Sequence, residues 1–259
     1  MGRQSFKINN LGFRSPTLKR KAPGTFRVAM VGGSSVWLGS RNENTIVAKL
    51  ARQIRGMGRR VEFINAGIVA GVAGQELSVL VHDLIDLDVD LLISFDGFND
   101  IYWPITSPKY RIGFPQPLGR RCPSFYPPRR QTNGDGRKRT ARAFFSYLNA
   151  IRKMAMISEA FGIRYLAVLQ PSLPYLKYKQ MVVGRNFQDP GIAFYENMLE
   201  HFEAANREHK YGAHYISATD WLSQDQFWDN VHFSDEANEI VAERLFDYII
   251  SKMNISLSQ

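Results

Sequence analysis

The stretch FRVAMVGGSS, Phe26 to Ser35, is where the reading of this chain begins. Phe26 to Val31 is a short apolar run that ends at Gly32-Gly33, the pattern of a buried strand entering a tight turn. Glycines at such a turn permit the sharp backbone that leaves the next side chain uncovered, and here the next side chains are the hydroxyls of Ser34 and Ser35. A serine after a glycine pair equally suits a helix cap or a phosphate-binding turn, so the rest of the chain has to decide.

Beyond this turn, Ile46, Leu50 and Ile54 recur every four residues within Thr45 to Arg55, which predicts an amphipathic helix. Val61 to Asn65 is strand-like, Gln75 to Leu87 helix-like, and Asp88 to Phe95 a third strand buried on both faces. A long helical segment from about Arg139 to Phe161 leads to a strand at Ile163 to Leu169. A helix around Ala193 to Glu208, a short strand at His214 to Ser217 and a closing helix from Ser234 to Ile250 complete the pattern. Strands that alternate with helices imply an α/β domain, its parallel sheet covered on both sides. One domain is expected over residues 26–253, after a basic N-terminal extension over 1–25. Two stretches break the rhythm and are expected to be long loops, 103–137 and 171–190; Pro104 to Pro128 holds seven of the twelve prolines. Both follow strand ends on the edge where open α/β sheets bind ligands.

The chain has 259 residues, 44% of them hydrophobic, enough for one sizeable core. Its longest apolar stretches, such as VAMV and LLISF, fall far short of the ~20 residues that cross a bilayer. Arg3, Lys7, Arg14, Lys19, Arg20 and Lys21 are not followed by the apolar run of a secretory signal. A single cysteine, Cys122, excludes an internal disulfide and suits a reducing compartment, so the cytoplasm is the expected location. The formal charge is +9, with no acidic residue before Glu43 and six basic residues but no acidic one between Trp103 and Arg130. No groove-reading motif or aromatic-and-glycine RNA signature accompanies that charge, so nucleic acid is not an expected partner. His82, His201, His209 and His214 are scattered without metal-ligand spacing, and neither a metal nor an organic cofactor is expected.

Ester cleavage by a serine needs an exposed hydroxyl, a histidine to take its proton, a carboxylate to hold that histidine, and donors for the oxyanion. Asp229-Asn230-Val231-His232 lies just ahead of the last helix, with Ser234 as a suitable N-cap. Its three-residue spacing lets Asp229 accept from one ring nitrogen of His232 while the other faces a serine; a capping Asp beside a structural His is the plainer alternative. Gly97-Phe98-Asn99-Asp100 ends the third strand, where the Asn99 amide could point at a developing oxyanion, although Asn-Asp turns are common after strands. Asn65-Ala66-Gly67, followed by Gly71, closes the second strand and offers backbone amides to the same place. All four segments fall on one edge of one sheet.

These four segments, in this order, resemble the sequence blocks of the SGNH (GDSL-like) hydrolases over roughly Phe26 to Tyr102 and Asp220 to Ile250. The resemblance implies a three-layer α/β/α flavodoxin-like sandwich with a mostly parallel sheet of about five strands. It implies a serine ester hydrolase in which Ser34, Asp229 and His232 form the triad and the amides of Ser34 and Gly71 and the Asn99 side chain form the oxyanion hole. Two departures leave choices open. The glycine that usually follows the nucleophile by four residues is Leu38 here, with Gly39 one further on, which makes Ser35 a rival; Ser34 is preferred because its distance from the strand fixes where its hydroxyl emerges. Counting from Asn65, the oxyanion glycine falls on Ala70, or on Gly71 with one inserted residue. Gly71 is taken because glycine tolerates the turn.

The expected substrate is a carboxylic ester, an acetyl or other short acyl group on a carbohydrate or other polar alcohol. Tyr102, Trp103, Tyr110, Phe125 and Tyr126 are available to stack on sugar rings, and Arg120 and Arg121 head the basic residues that would favour an anionic glycan. The same triad would serve an O-acyltransferase, and the same fold without turnover would serve as a glycan-binding module.

Overall fold

A computed structural model describes residues 6–106, 136–180, 189–208, 210–253 and 255. In chain order the elements are β1 (Phe26–Gly32), α1 (Ser34–Trp37), α2 (Ile46–Gly56), β2 (Val61–Gly67) and α3 (Ala73–Val79), which runs into a π turn at Leu80–Leu84. There follow β3 (Leu91–Asp96), α4 (Phe98–Thr106), α5 (Gly136–Ala160), β4 (Arg164–Leu169), α6 (Leu173–Gln180), α7 (Pro190–Glu208), β5 (His214–Ser217) and α8 (Asp235–Lys252). The five strands form one sheet in the order β2-β1-β3-β4-β5, and every pairing is parallel.

Alternation along the strands sends side chains to two separate cores. Val28 and Met30 of β1 pack with Leu50 and Ile54 of α2 and with Val241 and Leu245 of α8. Ala29 and Val31 face the other way, toward Ala73 of α3, Tyr147 and Ile151 of α5, and Phe194 and Met198 of α7. Apolar residues at both phases are what a sheet covered on both sides requires, and the result is the three-layer α/β/α sandwich expected from the sequence. Because β2 and β3 lie on opposite sides of β1, the winding reverses there and opens a crevice beyond the strand ends. Gly32 pairs with both Gly67 and Phe95, so the segments leaving β1, β2 and β3 start level with one another.

Three boundaries differ from the sequence reading. Residues 6–25 pack as part of the domain: Arg14 and Ser15 are buried, Ser15 Oγ accepts from the Asn65 amide at 2.7 Å, and Lys21 pairs with Asp90 at 2.6 Å. The stretch from Trp103 begins inside α4, whose Pro104 is buried near the helix end. The stretch from 171 contains α6, where Pro174 occupies the first turn and so removes no helical hydrogen bond. Prolines that signal loops in the sequence are here accommodated at helix ends. Arg27, inside the apolar run of β1, is also buried, and it is compensated by an ion pair with Glu62 at 2.5 Å and by the Lys19 carbonyl at 2.9 Å. Among the described residues no helix is long and apolar enough to cross a membrane.

Candidate active site

β1 ends at Gly32, Gly33 is extended, and Ser34 is the first residue of the single-turn helix α1. Ser34 Oγ lies 2.7 Å from His232 Nε2, and His232 Nδ1 lies 2.7 Å from Asp229 Oδ2. With the ring proton on Nδ1, His232 donates to Asp229 and accepts from Ser34, the arrangement needed to draw a proton off the hydroxyl. The Ser35 hydroxyl instead turns inward and donates to the Val231 carbonyl at 3.2 Å, tying α1 to the histidine loop.

That loop is braced at both ends. Phe227 and Phe233 form an antiparallel bridge, the Trp228 amide donates to the His232 carbonyl at 2.8 Å, and the Leu173 amide donates to the Asn230 carbonyl at 2.9 Å. Asp229 Oδ1 accepts from the amides of Val231 and His232, both at 2.9 Å, which leaves Oδ2 for the imidazole. Burial acts to raise the Asp229 carboxyl, but the hydrogen bonds from the His232 ring and from these two amides outweigh it and hold the group below its ordinary value. The carboxylate is therefore ionised at neutral pH and able to stabilise an imidazolium. Ser234 Oγ accepts from the Ala237 amide at 3.2 Å and caps α8 directly after the loop.

Asn99, in the first turn of α4, donates from Nδ2 to the Gly71 carbonyl at 2.8 Å and lies so close to the backbone beside Ser34 that a Cβ on Gly33 would sit 2.6 Å from it. The Ser34 amide has no acceptor among the described residues. Gly71 requires a correction. Its amide donates to the Ile68 carbonyl at 2.7 Å, closing a turn over Ile68 to Gly71, so it is not available to an oxyanion. Within this turn Ala70 has φ +62°, the left-handed position that usually takes glycine. The Ala70 amide has no acceptor among the described residues, and Gly71 contributes its carbonyl, which orients Asn99.

Beneath Asn99 is a group the sequence did not disclose. Asp100 is fully buried and accepts from the Ala73 amide at 3.2 and 3.3 Å, joining the start of α4 to the start of α3. Glu76 and Asp96 are buried within electrostatic reach of it. Burial, and then the proximity of Asp96, pushes the Glu76 and Asp100 carboxyls well above the usual carboxylate range. Burial also raises Asp96, against the moderating effect of Glu76 and Tyr147 beside it. The Asp after Asn99 was the only sequence signal of this cluster, because Glu76 and Asp96 come from other elements.

Of the residues expected at the substrate rim, Tyr102 is exposed on α4 and stacks on Phe98 at 5.3 Å, and Trp103 meets Tyr102 edge-on at 5.1 Å. They stand three and four residues beyond Asn99, on the same side of the helix. Arg120 and Arg121 lie outside the described residues, as do Tyr110, Cys122, Phe125, Tyr126 and His209. Trp228, missed in the sequence, is 63% exposed immediately before Asp229. Among the described residues no group of three or more His, Cys, Asp or Glu side chains is arranged to hold a metal ion.

No protein-family model matches the chain, and no curated protein matches it either. Solved structures do. The chain is similar to an acetylxylan esterase from Geobacillus stearothermophilus at 12% identity and a TM-score of 0.59, over 88% of this chain and 95% of that one. It is similar to a protein assigned to the lipolytic G-D-S-L family from Desulfitobacterium hafniense DCB-2 at 15% identity and a TM-score of 0.54, over 85% and 98%. A third likeness, to an alpha/beta hydrolase enzyme from the metagenome of Lake Arreo, Spain, has 12% identity and a TM-score of 0.56, over 90% and 97%. At such identities the likeness speaks to architecture, and the chain has the fold of the SGNH (GDSL-like) hydrolases.

Proposed function

We propose that the protein is a serine-dependent carboxylic ester hydrolase with Ser34 as nucleophile, His232 as general base and Asp229 as its orienting carboxylate. The observation that carries this reading is the unbroken chain Ser34 Oγ, His232, Asp229 with both links at 2.7 Å. In the first half-reaction Ser34 Oγ attacks the ester carbonyl as its proton passes to His232 Nε2. The tetrahedral oxyanion is held by the Ser34 amide, the Asn99 amide proton not bonded to Gly71, and the Ala70 amide in place of that of Gly71. His232 then returns the proton to the departing alcohol. A water molecule, deprotonated by the same nitrogen, then attacks the acyl carbon, and as the bond to Ser34 Oγ breaks that proton passes to Oγ, releasing a carboxylic acid and restoring the serine.

The substrate reading is O-deacylation, acetyl or another short acyl group leaving a carbohydrate or other polar alcohol. It is supported by the exposed aromatic rings of Tyr102, three residues beyond Asn99, and of Trp228, next to Asp229 in the chain, and by the acetylxylan esterase among the structural relatives. The six basic and no acidic residues of the Trp103 to Arg130 segment favour an anionic glycan. The test is turnover of p-nitrophenyl acetate and of acetylated neutral and anionic oligosaccharides by wild type, Ser34→Ala and His232→Ala. Ser34- and His232-dependent release of acetate supports the reading; acetate release that survives both substitutions, or none from a folded wild type, refutes it.

A further inference from the structure

α1 is a helix of one turn, and a single turn does not hold itself together: fixing its dihedrals costs more than its few hydrogen bonds return. Its internal bonds are Leu38 N–H to Ser34 C=O at 2.8 Å and Trp37 and Val36 N–H to Gly33 C=O at 3.3 and 3.2 Å. The carbonyls leaving its far end need partners from elsewhere. Asn65 Nδ2 donates to the Val36 carbonyl at 2.8 Å. The next two strong contacts both come from one side chain in the N-terminal segment, Arg14, whose Nη1 donates to the Trp37 carbonyl at 2.5 Å and whose Nη2 donates to the Gly39 carbonyl at 2.9 Å.

We propose that Arg14 is a positioning residue for Ser34, its guanidinium fork clamping the carbonyl end of α1 so that the serine hydroxyl meets His232. The inference rests on the reading of Ser34 as nucleophile. Arg14 is 1% exposed. Its Nε donates to Asn42 Oδ1 at 3.2 Å, and its Cζ lies 4.1 Å from the Phe6 ring centroid and 4.7 Å from that of Trp37, two rings that meet each other edge-on. All three donor positions are thereby engaged and the fork has one orientation, with the charge making its bonds to the carbonyls stronger than neutral ones. The negative charges that compensate its burial are Asp235 and Glu43. Asp235 in turn accepts from the Ser40 amide at 2.9 Å and from Asn44 Nδ2 at 2.8 Å, and it opens α8 three residues after His232. The network therefore holds both partners of the 2.7 Å Ser34 to His232 contact, one at each end.

The experiment compares Arg14→Lys and Arg14→Met with wild type by p-nitrophenyl acetate kinetics and by ¹⁵N NMR of the His232 ring. Lysine keeps the charge but cannot reach both carbonyls; methionine keeps an apolar contact with the two rings but has no donors. Positioning predicts folded variants in which KM stays within about twofold while kcat falls by about 10–100-fold, more for Met than for Lys, because small misplacements of a nucleophile cost rate rather than binding. The His232 Nε2 resonance should move in the same order. If Arg14→Met does not fold, Arg14→Lys carries the comparison. Folded variants with wild-type kcat and an unmoved Nε2 resonance overturn the proposal. Should wild type show no Ser34-dependent turnover, the esterase reading fails, while the His232 resonance still decides Arg14: a shift supports positioning, no shift overturns it.

Discussion

Gly33→Ala is the substitution whose effect follows most plainly from the geometry around Ser34. Gly33 is extended, with φ −79° and ψ −154°, so alanine meets no backbone penalty there. What it meets is Asn99: the new Cβ would lie 2.6 Å from Nδ2, against a lower limit of 3.4 Å for ordinary contact, so the amide has to retreat by about 0.8 Å. Such a retreat stretches the 2.8 Å bond to the Gly71 carbonyl and carries the second amide proton away from the position proposed for the oxyanion. Removal of one oxyanion donor typically lowers kcat by ~10²–10³-fold, and Gly33→Ala is expected to fall in that range while losing about 1–3 kcal/mol of stability to overpacking. Ester kinetics with thermal unfolding monitored by circular dichroism measure both. The decisive comparison is the cycle with Asn99→Ala, in which the double variant should be no slower than Asn99→Ala alone because both changes remove the same donor. A Gly33→Ala protein within about threefold of wild-type kcat, or losses that multiply in the double variant, would refute the reasoning.

Three further outcomes are expected. Asp229→Asn preserves an acceptor for the Val231 and His232 amides but presents an amide to the imidazole, so kcat should fall by ~10³–10⁴-fold with little change in melting temperature; turnover near wild type would remove Asp229 from the triad. Ala70→Gly relieves a left-handed alanine and should raise stability by about 0.5–1 kcal/mol, read from chemical denaturation, whereas a loss would mean that the turn does not strain its alanine. Glu76 is raised on folding, so the unfolded chain ionises first: its destabilising effect is absent below the ordinary carboxyl value and grows as pH rises from there toward the raised folded value. Glu76→Gln should accordingly lose less stability than wild type as pH rises above the ordinary carboxyl value, and parallel curves would contradict the assignment.

The parts of this molecule that were legible in its sequence are those governed by local pattern. The alternation of apolar strands and amphipathic helices foretold the sandwich, and the distance of Ser34 from β1 pointed to the hydroxyl that lies against His232, while that of Ser35 turns toward the Val231 carbonyl. The parts that were not legible depend on which group meets which across the fold. Counting residues could not tell that the Gly71 amide closes its own turn, leaving Ala70 with the left-handed backbone. Prolines concealed α4 and α6 because their position within a helical turn, not their presence, decides whether a helix can form. Arg14 looked like one more charge in a basic N-terminal segment, since nothing in its neighbours' periodicity announces a buried guanidinium. The same holds for Glu76, Asp96 and Asp100, which converge from three elements. In each case chemistry was hidden where tertiary contact overrides composition.

Ser34, activated by His232, is the proposed nucleophile. The most direct test of that role is labelling with a fluorophosphonate, followed by fragmentation mass spectrometry of the peptide that carries Ser34 and Ser35. The account predicts stoichiometric modification of Ser34, abolished by Ser34→Ala, strongly slowed by His232→Ala and retained by Ser35→Ala. Modification of Ser35, or a folded protein that takes up no label, would contradict it.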